Sequence, residues 1–432
     1  MADTLTIDAA AIWTGNKGQV IRDARLVTKG NTIMRVGSRA EFPDVEGQYV
    51  DFSQYWIVPG LIDVHAHLVF GDQGRRYEDY IREDGDDLML LRAARNAQTH
   101  LAAGVTTLRD CGGRNNVVVS LRSGISRGLL EGPTIVASGR PLTITGGHFW
   151  WCNQECDGVE GVRQACRQLI KNGVDFFKIM ASGGGTKGTD AKVASFTVEE
   201  IKAATDIARN HGMRTTAHCE ATASVERAIA GGIHCVEHAG FQEPDGTRTY
   251  RPDLVEQMVE KGIYYSPTIQ TAFGGVKRYS GRTGLSEAEQ RGLKAQRYKL
   301  ERKLENLAKI YAAGVKVIAG TDAISHFGEY VTGLELFCHS CMTPEEALVS
   351  ATSLAAEAIG LGDKVGMIAK GKMADLLVVE ADPLQDISAL RKIAAVIKGG
   401  RFFTGSPVGA AYTPFPPVSR EPAGVDEVLG RR

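Results

Sequence analysis

The stretch WIVPGLIDVHAHLVFGD, residues 56–72, carries an apolar run into two histidines, His65 and His67. Residues two apart in a strand point to one face, so the two imidazoles project together. A buried strand favours Val, Ile and Leu, and an imidazole there needs a hydrogen-bond partner or a metal. His218 in RTTAHCE, His238 in CVEHAG and Asp322 in KVIAGTDA each fall late in a short β-like run. Four imidazoles and one carboxylate make a set of nitrogen and oxygen donors that suits Zn²⁺ and tolerates Mn²⁺, Co²⁺ or Fe²⁺. Lys178, inside the apolar run DFFKIMA, is the odd member. As an ammonium it would be repelled by bound metals; converted by CO2 to a carbamate, it would bridge two of them as an anion. Each residue alone has a plainer reading: a histidine satisfied in the core, a lysine snorkelling to a strand end, an aspartate capping the next helix. Six such residues, each late in a different strand or paired within one, favour the metal site.

The backbone must bring these six together. Eight runs read as strands: LIDVHAH, TTLRDCG, TIVASG, FFKIMA, RTTAHCE, CVEHAG, YYSPTI and KVIAGTDA. Helix-like segments such as VEEIKAATDIARNHG and ATASVERAIAGG lie between them. This alternation predicts an α/β chain with a closed parallel (β/α)8 TIM barrel, whose active site forms at the C-terminal strand ends. His218 and His238, about one strand–helix repeat apart, would sit on neighbouring strands. The eighth strand would close on the first and carry Asp322 to His65 and His67. A doubly wound open sheet is the alternative, but HAHLVFGDQG is a poor phosphate turn for it. The Gly-rich ASGGGTKGTD (181–190) lacks P-loop spacing and reads as an active-site loop. Both chain ends are β-rich, which predicts a small β-sandwich domain from residues 1–57 and 369–432 around a barrel at 58–368. Residues 406–432, rich in Pro and Gly, read as an extended tail.

Fifty basic and 51 acidic residues leave a formal net charge of −1. That balance gives no case for nucleic acid or an anionic membrane surface, so a small molecule is the expected partner. No run approaches the roughly 18 apolar residues of a transmembrane helix. MADTLTIDAAAIWTG lacks the pattern of a secretory signal, and a cytoplasmic location is expected. The eight cysteines are then expected as reduced thiols. CNQEC (Cys152, Cys156) and CHSC (Cys338, Cys341) resemble zinc ligand pairs but lack second matching pairs.

Taken together, VPGLIDVHAH, the fourth-strand lysine, the two single-histidine strands, GTDA and the closing IAKGKMADLLVVEADP resemble the metal-dependent amidohydrolase superfamily. The resemblance covers nearly the whole chain and is strongest to the branch of imidazolonepropionase and the Xaa-Pro and Xaa-Arg dipeptidases. It implies two divalent ions, zinc being expected. His65, His67 and Asp322 would bind the first, His218 and His238 the second, and a carboxylated Lys178 would bridge. A metal-bridging hydroxide would be the nucleophile, and Asp322 would pass its proton to the leaving nitrogen. His148, in TITGGHFWW, is similar to the family's TGGH loop histidine and is the candidate oxyanion donor and substrate contact. The sequence departs from the family at Phe149, Trp150 and Trp151, which would wall the pocket or seal the loop onto the barrel. Of Tyr264 and Tyr265 in YYSPT, one is expected at the substrate carboxylate, with Tyr264 favoured by its offset from Pro267. Lys187 and Arg114 are further candidates for an anionic group, and His326 for a supporting contact behind Asp322. The expected reaction is hydrolysis of a C–N bond in a dipeptide or N-acyl amino acid. Neutral amides, carbamates or cyclic amides are the alternative. Deamination fits less well, because deaminases of this superfamily usually lack the bridging lysine; a non-catalytic scaffold would typically have lost ligands. Homologous barrels often assemble, so a homo-oligomer is expected.

Overall fold

The computed structural model describes residues 4–71, 76–280, 282–325 and 327–403. The eight expected strands are present as Leu61–Ala66, Val105–Asp110, Thr134–Ala137, Phe176–Met180, Arg214–His218, Cys235–Glu237, Tyr264–Ser266 and Lys316–Val317. They are short and almost wholly buried, as strands covered on both faces must be. Their ladders run parallel within two sheets. Backbone hydrogen bonds join the sheets into a ring. The Asp175 N–H donates to the Ala137 carbonyl at 2.8 Å, linking third strand to fourth. The N–H groups of Val64 and His67 donate to the carbonyls of Ala319 and Ala323 at 3.1 and 3.2 Å, linking first strand to eighth. The result is a closed barrel, not an open sheet.

The helices lay apolar faces on this ring. Val198–Asn210 is typical: Thr197 and Glu200 close a capping box at its start, and Ile201, Ala204 and Ala208 are buried. Two strands of two residues each, Leu142–Thr143 and Gln154–Glu155, extend the sheet beside Phe176–Met180. They bracket the loop that carries His148. Strands that short show no periodicity, which is why the sequence does not reveal them.

Both chain ends meet in one seven-stranded mixed sheet, in which Gln48–Pro59 lies between Thr4–Trp13 and Leu376–Val379. Alternation along Gln48–Pro59 sends Ile57 to a core of the sheet's own, with Ile7, Leu26 and Leu376. Val58 goes instead to the main core shared with the barrel, beside Trp13 and Leu377. The same strand runs through Gly60 into the strand of His65 and His67. A Cβ at Gly60 would lie 2.2 Å from the Thr106 hydroxyl, so only glycine permits this junction. The sheet thereby anchors the strand that bears the first two site residues. The tail expected at 406–432 and His326 lie outside the described residues. Among the described residues no helix is long and apolar enough to cross a membrane. All eight cysteines are unpaired.

Candidate active site

Five of the six expected ligands converge at the C-terminal mouth of the barrel. Asp322 Oδ1 lies 3.5 Å from His65 Nε2 and 3.3 Å from His67 Nε2. Donor atoms of His65, His238 and Asp322 all lie within 4.8 Å of one another. The His218 ring centroid is 4.5 Å from that of His238. The Lys178 side chain is buried, and its charge acts on His65, His218 and Asp322. Its Nζ has no hydrogen-bond partner among the described residues. Several residues of the mouth hold left-handed backbone, among them His238 (φ 67°), Thr268 (φ 45°) and Asp322 (φ 53°). Non-glycine residues enter that region at a cost of roughly 1–3 kcal/mol each, and such strain collects at functional sites.

Each histidine spends one ring nitrogen on an outer partner. His65 Nδ1 meets Glu237 Oε2 at 2.7 Å, and His67 Nδ1 meets the Gly112 carbonyl at 2.8 Å. His238 Nδ1 meets Thr268 Oγ1 at 2.6 Å, and His218 Nε2 meets the Gly183 carbonyl at 3.1 Å. The remaining nitrogens are left for ligation, the usual division of labour at a metal site. Burial, and then Lys178, hold His65 and His218 down to about 4, so both rings are neutral and ready to donate. Burial works to raise Asp322, but His65 and His67 outweigh it and hold the carboxyl far below its usual range. The set fits divalent ions, and a carbamate on Lys178 would give its unpartnered end an anionic role.

Several supporting residues escaped sequence reasoning. Glu237 is wholly buried between His65, Thr216 and Arg109, whose Nη2 donates to it at 2.5 Å. Burial opposes its charge, but Arg109 and His65 prevail and keep it ionised. Asp63 Oδ1 accepts from the N–H groups of His65 and Thr321 at 3.0 Å, and Oδ2 accepts from Thr321 Oγ1 at 2.6 Å. It thus ties the first strand to the loop of Asp322, and burial pushes its carboxyl up to about 7. The available signal was an acidic residue inside each apolar run, Asp63 in LIDVHAH and Glu237 in CVEHAG.

The loop after the third strand places His148 4.6 Å, centroid to centroid, from His218. Thr186 Oγ1 accepts the Phe149 N–H at 3.0 Å and lies 2.9 Å from His148 Nδ1. Its hydroxyl proton is free to go to Nδ1, which leaves the ring proton on Nε2. A Cβ at Gly184 would lie 2.5 Å from the His148 ring, so the Gly-rich loop is shaped to lie against that ring. Phe149 stacks on His148 at 4.0 Å and joins Phe70, Tyr77 and Trp151 in an aromatic cluster beside His67. Phe149 and Trp151 therefore seal the loop, whereas Trp150 stays 38% exposed with Arg82 over its ring. Tyr265 reaches the mouth, its hydroxyl donating to the His238 carbonyl at 3.3 Å. Tyr264 does not. It begins its strand at the opposite end of the barrel, where it packs with Ile62, Phe176 and Ala355 and donates to Glu357 Oε1 at 2.5 Å. The Pro267 offset misleads because adjacent strand residues point to opposite faces, and the offset does not say which of the two turns toward the site. Arg114 is also taken, by Asp86 and the carbonyls of Ile81 and Asp84. Lys187 presents its backbone N–H to Glu78.

A barrel with these residues at its mouth defines a class. Residues 56–403 match the model of the amidohydrolase family, and the chain belongs to that family. It is accordingly a hydrolase of carbon–nitrogen bonds. It is 30% identical to ochratoxinase of Aspergillus niger, over 94% of this chain and 88% of that protein. It is 23% identical to imidazolonepropionase of Cupriavidus taiwanensis, over 91% of this chain and 93% of that one. Among solved structures it resembles a Xaa-Pro dipeptidase with methionine bound in the active site, with a TM-score of 0.81 at 27% identity, covering 93% of this chain and 100% of the other.

Proposed function

We propose that the protein is a binuclear metal-dependent amidohydrolase that cleaves the C–N bond of a dipeptide or N-acyl amino acid. The observation that carries this reading is Lys178, buried without a hydrogen-bond partner among neutral imidazoles and one carboxylate. A free ammonium there would be costly, and a carbamate between two cations would not. His65, His67 and Asp322 would hold one ion, His218 and His238 the other, and the carbamate of Lys178 both. The ions, zinc by preference, would supply an acidified water and polarise the scissile carbonyl.

The chain's own groups do the rest. Asp322, kept ionised, accepts a proton at its carboxylate and delivers it to the leaving nitrogen. His148, with its proton on Nε2, donates to the carbonyl oxygen as negative charge grows there. Phe149, stacked on that ring, limits its rotation. Tyr265 holds the His238 carbonyl, and so the strand end, in place. Similarity to the dipeptidase with bound methionine supports a substrate derived from an amino acid. The second reading is hydrolysis of neutral amides, carbamates or cyclic amides, with Trp150, which stays exposed on the His148 loop, as the aromatic surface open to such a substrate. Residues 1–57 and 369–432 are assigned to a small β-sandwich domain and 58–368 to the barrel, a division supported by the sheet's own core around Ile7, Leu26, Ile57 and Leu376. A cytoplasmic homo-oligomer completes the proposal.

The test is a hydrolysis panel with metal-loaded protein: X-Pro, X-Arg and aromatic dipeptides, N-acyl amino acids and aryl carbamates. Turnover of amino-acid amides that disappears on chelation and returns with metal is expected. Turnover that survives complete metal removal would overturn the reading.

A further inference from the structure

The loops after the fifth and sixth barrel strands hold a second group of charges beside the ligands. Glu220, two residues beyond His218, is buried. Its Oε2 accepts from Arg248 Nη1 at 2.9 Å, and its Oε1 lies 3.7 Å from both Lys299 Nζ and Lys303 Nζ. Arg248 is held further by the Gly240 carbonyl at 2.8 Å and Gln242 Oε1 at 3.1 Å. A Cβ at Gly240 would lie 2.3 Å from Glu220 Oε2 and 2.7 Å from Arg248 Nη1, so the backbone approaches this pair as only glycine allows. Lys299 and Lys303 are one turn apart on the helix Glu287–Ala312 and share its face.

Lys303 differs from its neighbours. Its side chain is 4% exposed, and its Nζ has no hydrogen-bond partner among the described residues. At 3.7 Å, Glu220 attracts it without accepting a hydrogen bond. Three cations face one carboxylate, and Arg248 already occupies that carboxylate. Its 3.7 Å approach to Glu220, two residues beyond His218, sets Lys303 beside the loop that follows the fifth barrel strand. A buried ammonium with three unspent donors calls for an anionic acceptor. The hydrolase reading supplies one such anion near the scissile bond, the free carboxylate of the substrate itself.

We propose that Lys303 anchors a free carboxylate of the substrate on the His218 side of the mouth, with Glu220, Arg248 and Lys299 as the frame that positions it. This rests on the hydrolase reading and narrows its substrates to amides bearing a carboxylate near the scissile bond. It also transfers the carboxylate contact from Tyr264, which lies at the other end of the barrel, to a residue on a helix.

The test uses N-acyl amino acids and dipeptides, each paired with its C-terminal amide, on metal-loaded wild type, Lys303→Met and Lys303→Arg. A charge-assisted hydrogen bond predicts that wild type favours the free acids by about thirtyfold in kcat/KM. Lys303→Met should raise KM for the acids by a similar factor and leave both kcat and the amides nearly unchanged. Lys303→Arg should restore part of the preference. The unchanged amides serve as the control for folding, and competitive inhibition by the free-acid products supplies a readout independent of turnover. Equal treatment of acids and amides by wild type, or an equal loss for both in Lys303→Met, would overturn the anchor. If amides or carbamates are still hydrolysed in that case, the hydrolase reading stands. If no member of either series is hydrolysed or bound, both fall.

Discussion

Glu237→Gln separates stability from the proposed metal binding at this site. The carboxylate serves two buried partners at once, the Arg109 guanidinium at 2.5 Å and His65 Nδ1 at 2.7 Å. A neutral amide of the same shape leaves Arg109 charged and uncompensated in the barrel interior. Breaking a buried pair in that way costs about 3–5 kcal/mol. That is a large part of the roughly 5–15 kcal/mol that holds a domain together. The second effect is on His65. Glu237 holds the ring's proton on Nδ1 and leaves Nε2 for the proposed metal, and loss of such a partner at a metal site costs about ten- to hundredfold in affinity. Converted, that is about 1.4–2.7 kcal/mol. The assay is urea unfolding of the metal-free protein, paired with metal titration against a competing chelator. The double variant Glu237→Gln, Arg109→Met removes the lone charge. It should recover much of the stability and none of the metal affinity. A folded Glu237→Gln protein that binds metal as tightly as wild type would refute the assignment of Glu237 as the group that orients His65.

Three further outcomes are expected. Lys178→Ala, His238→Ala and Asp322→Ala should each lower activity at least about a hundredfold; near-wild-type turnover by Asp322→Ala with its metal content verified would sink the mechanism. His148→Ala should lower kcat with little change in KM, because its contact strengthens only as the carbonyl oxygen gains charge; a pure KM effect would remove that role. His100 is buried, and burial holds its ring down to about 4 against 6.5 in the unfolded chain. The unfolded state therefore takes the proton first, and as pH falls from 6.5 toward 4 this residue withdraws stability, about 2 kcal/mol of it by pH 5. Asp63, pushed up to about 7, works in the opposite sense over the same range. The informative comparison is thus wild type against His100→Gln in urea midpoints at pH 7.5 and 5, and an identical change in both would rule the effect out.

Much of this protein is legible along the chain. The eight barrel strands are apolar runs of fixed order, and a period of two puts His65 and His67 on one face whatever the rest of the molecule does. A strand–helix repeat of about twenty residues makes His218 and His238 neighbours, and closure of the ring follows from the strand count. Tertiary structure alone decided the rest. Tyr264 and Tyr265 are adjacent in sequence, yet one faces the floor of the barrel and the other the mouth. Lys303 is one of several lysines on a long polar helix until the helix docks and buries it beside Glu220. Glu237 reads as an isolated acid in a short strand, and gains its role from Arg109 and from a histidine 172 residues away. Side-chain periodicity records which face of a segment is buried. It carries nothing about which distant residue will be met there, because that is set by how the whole ring closes.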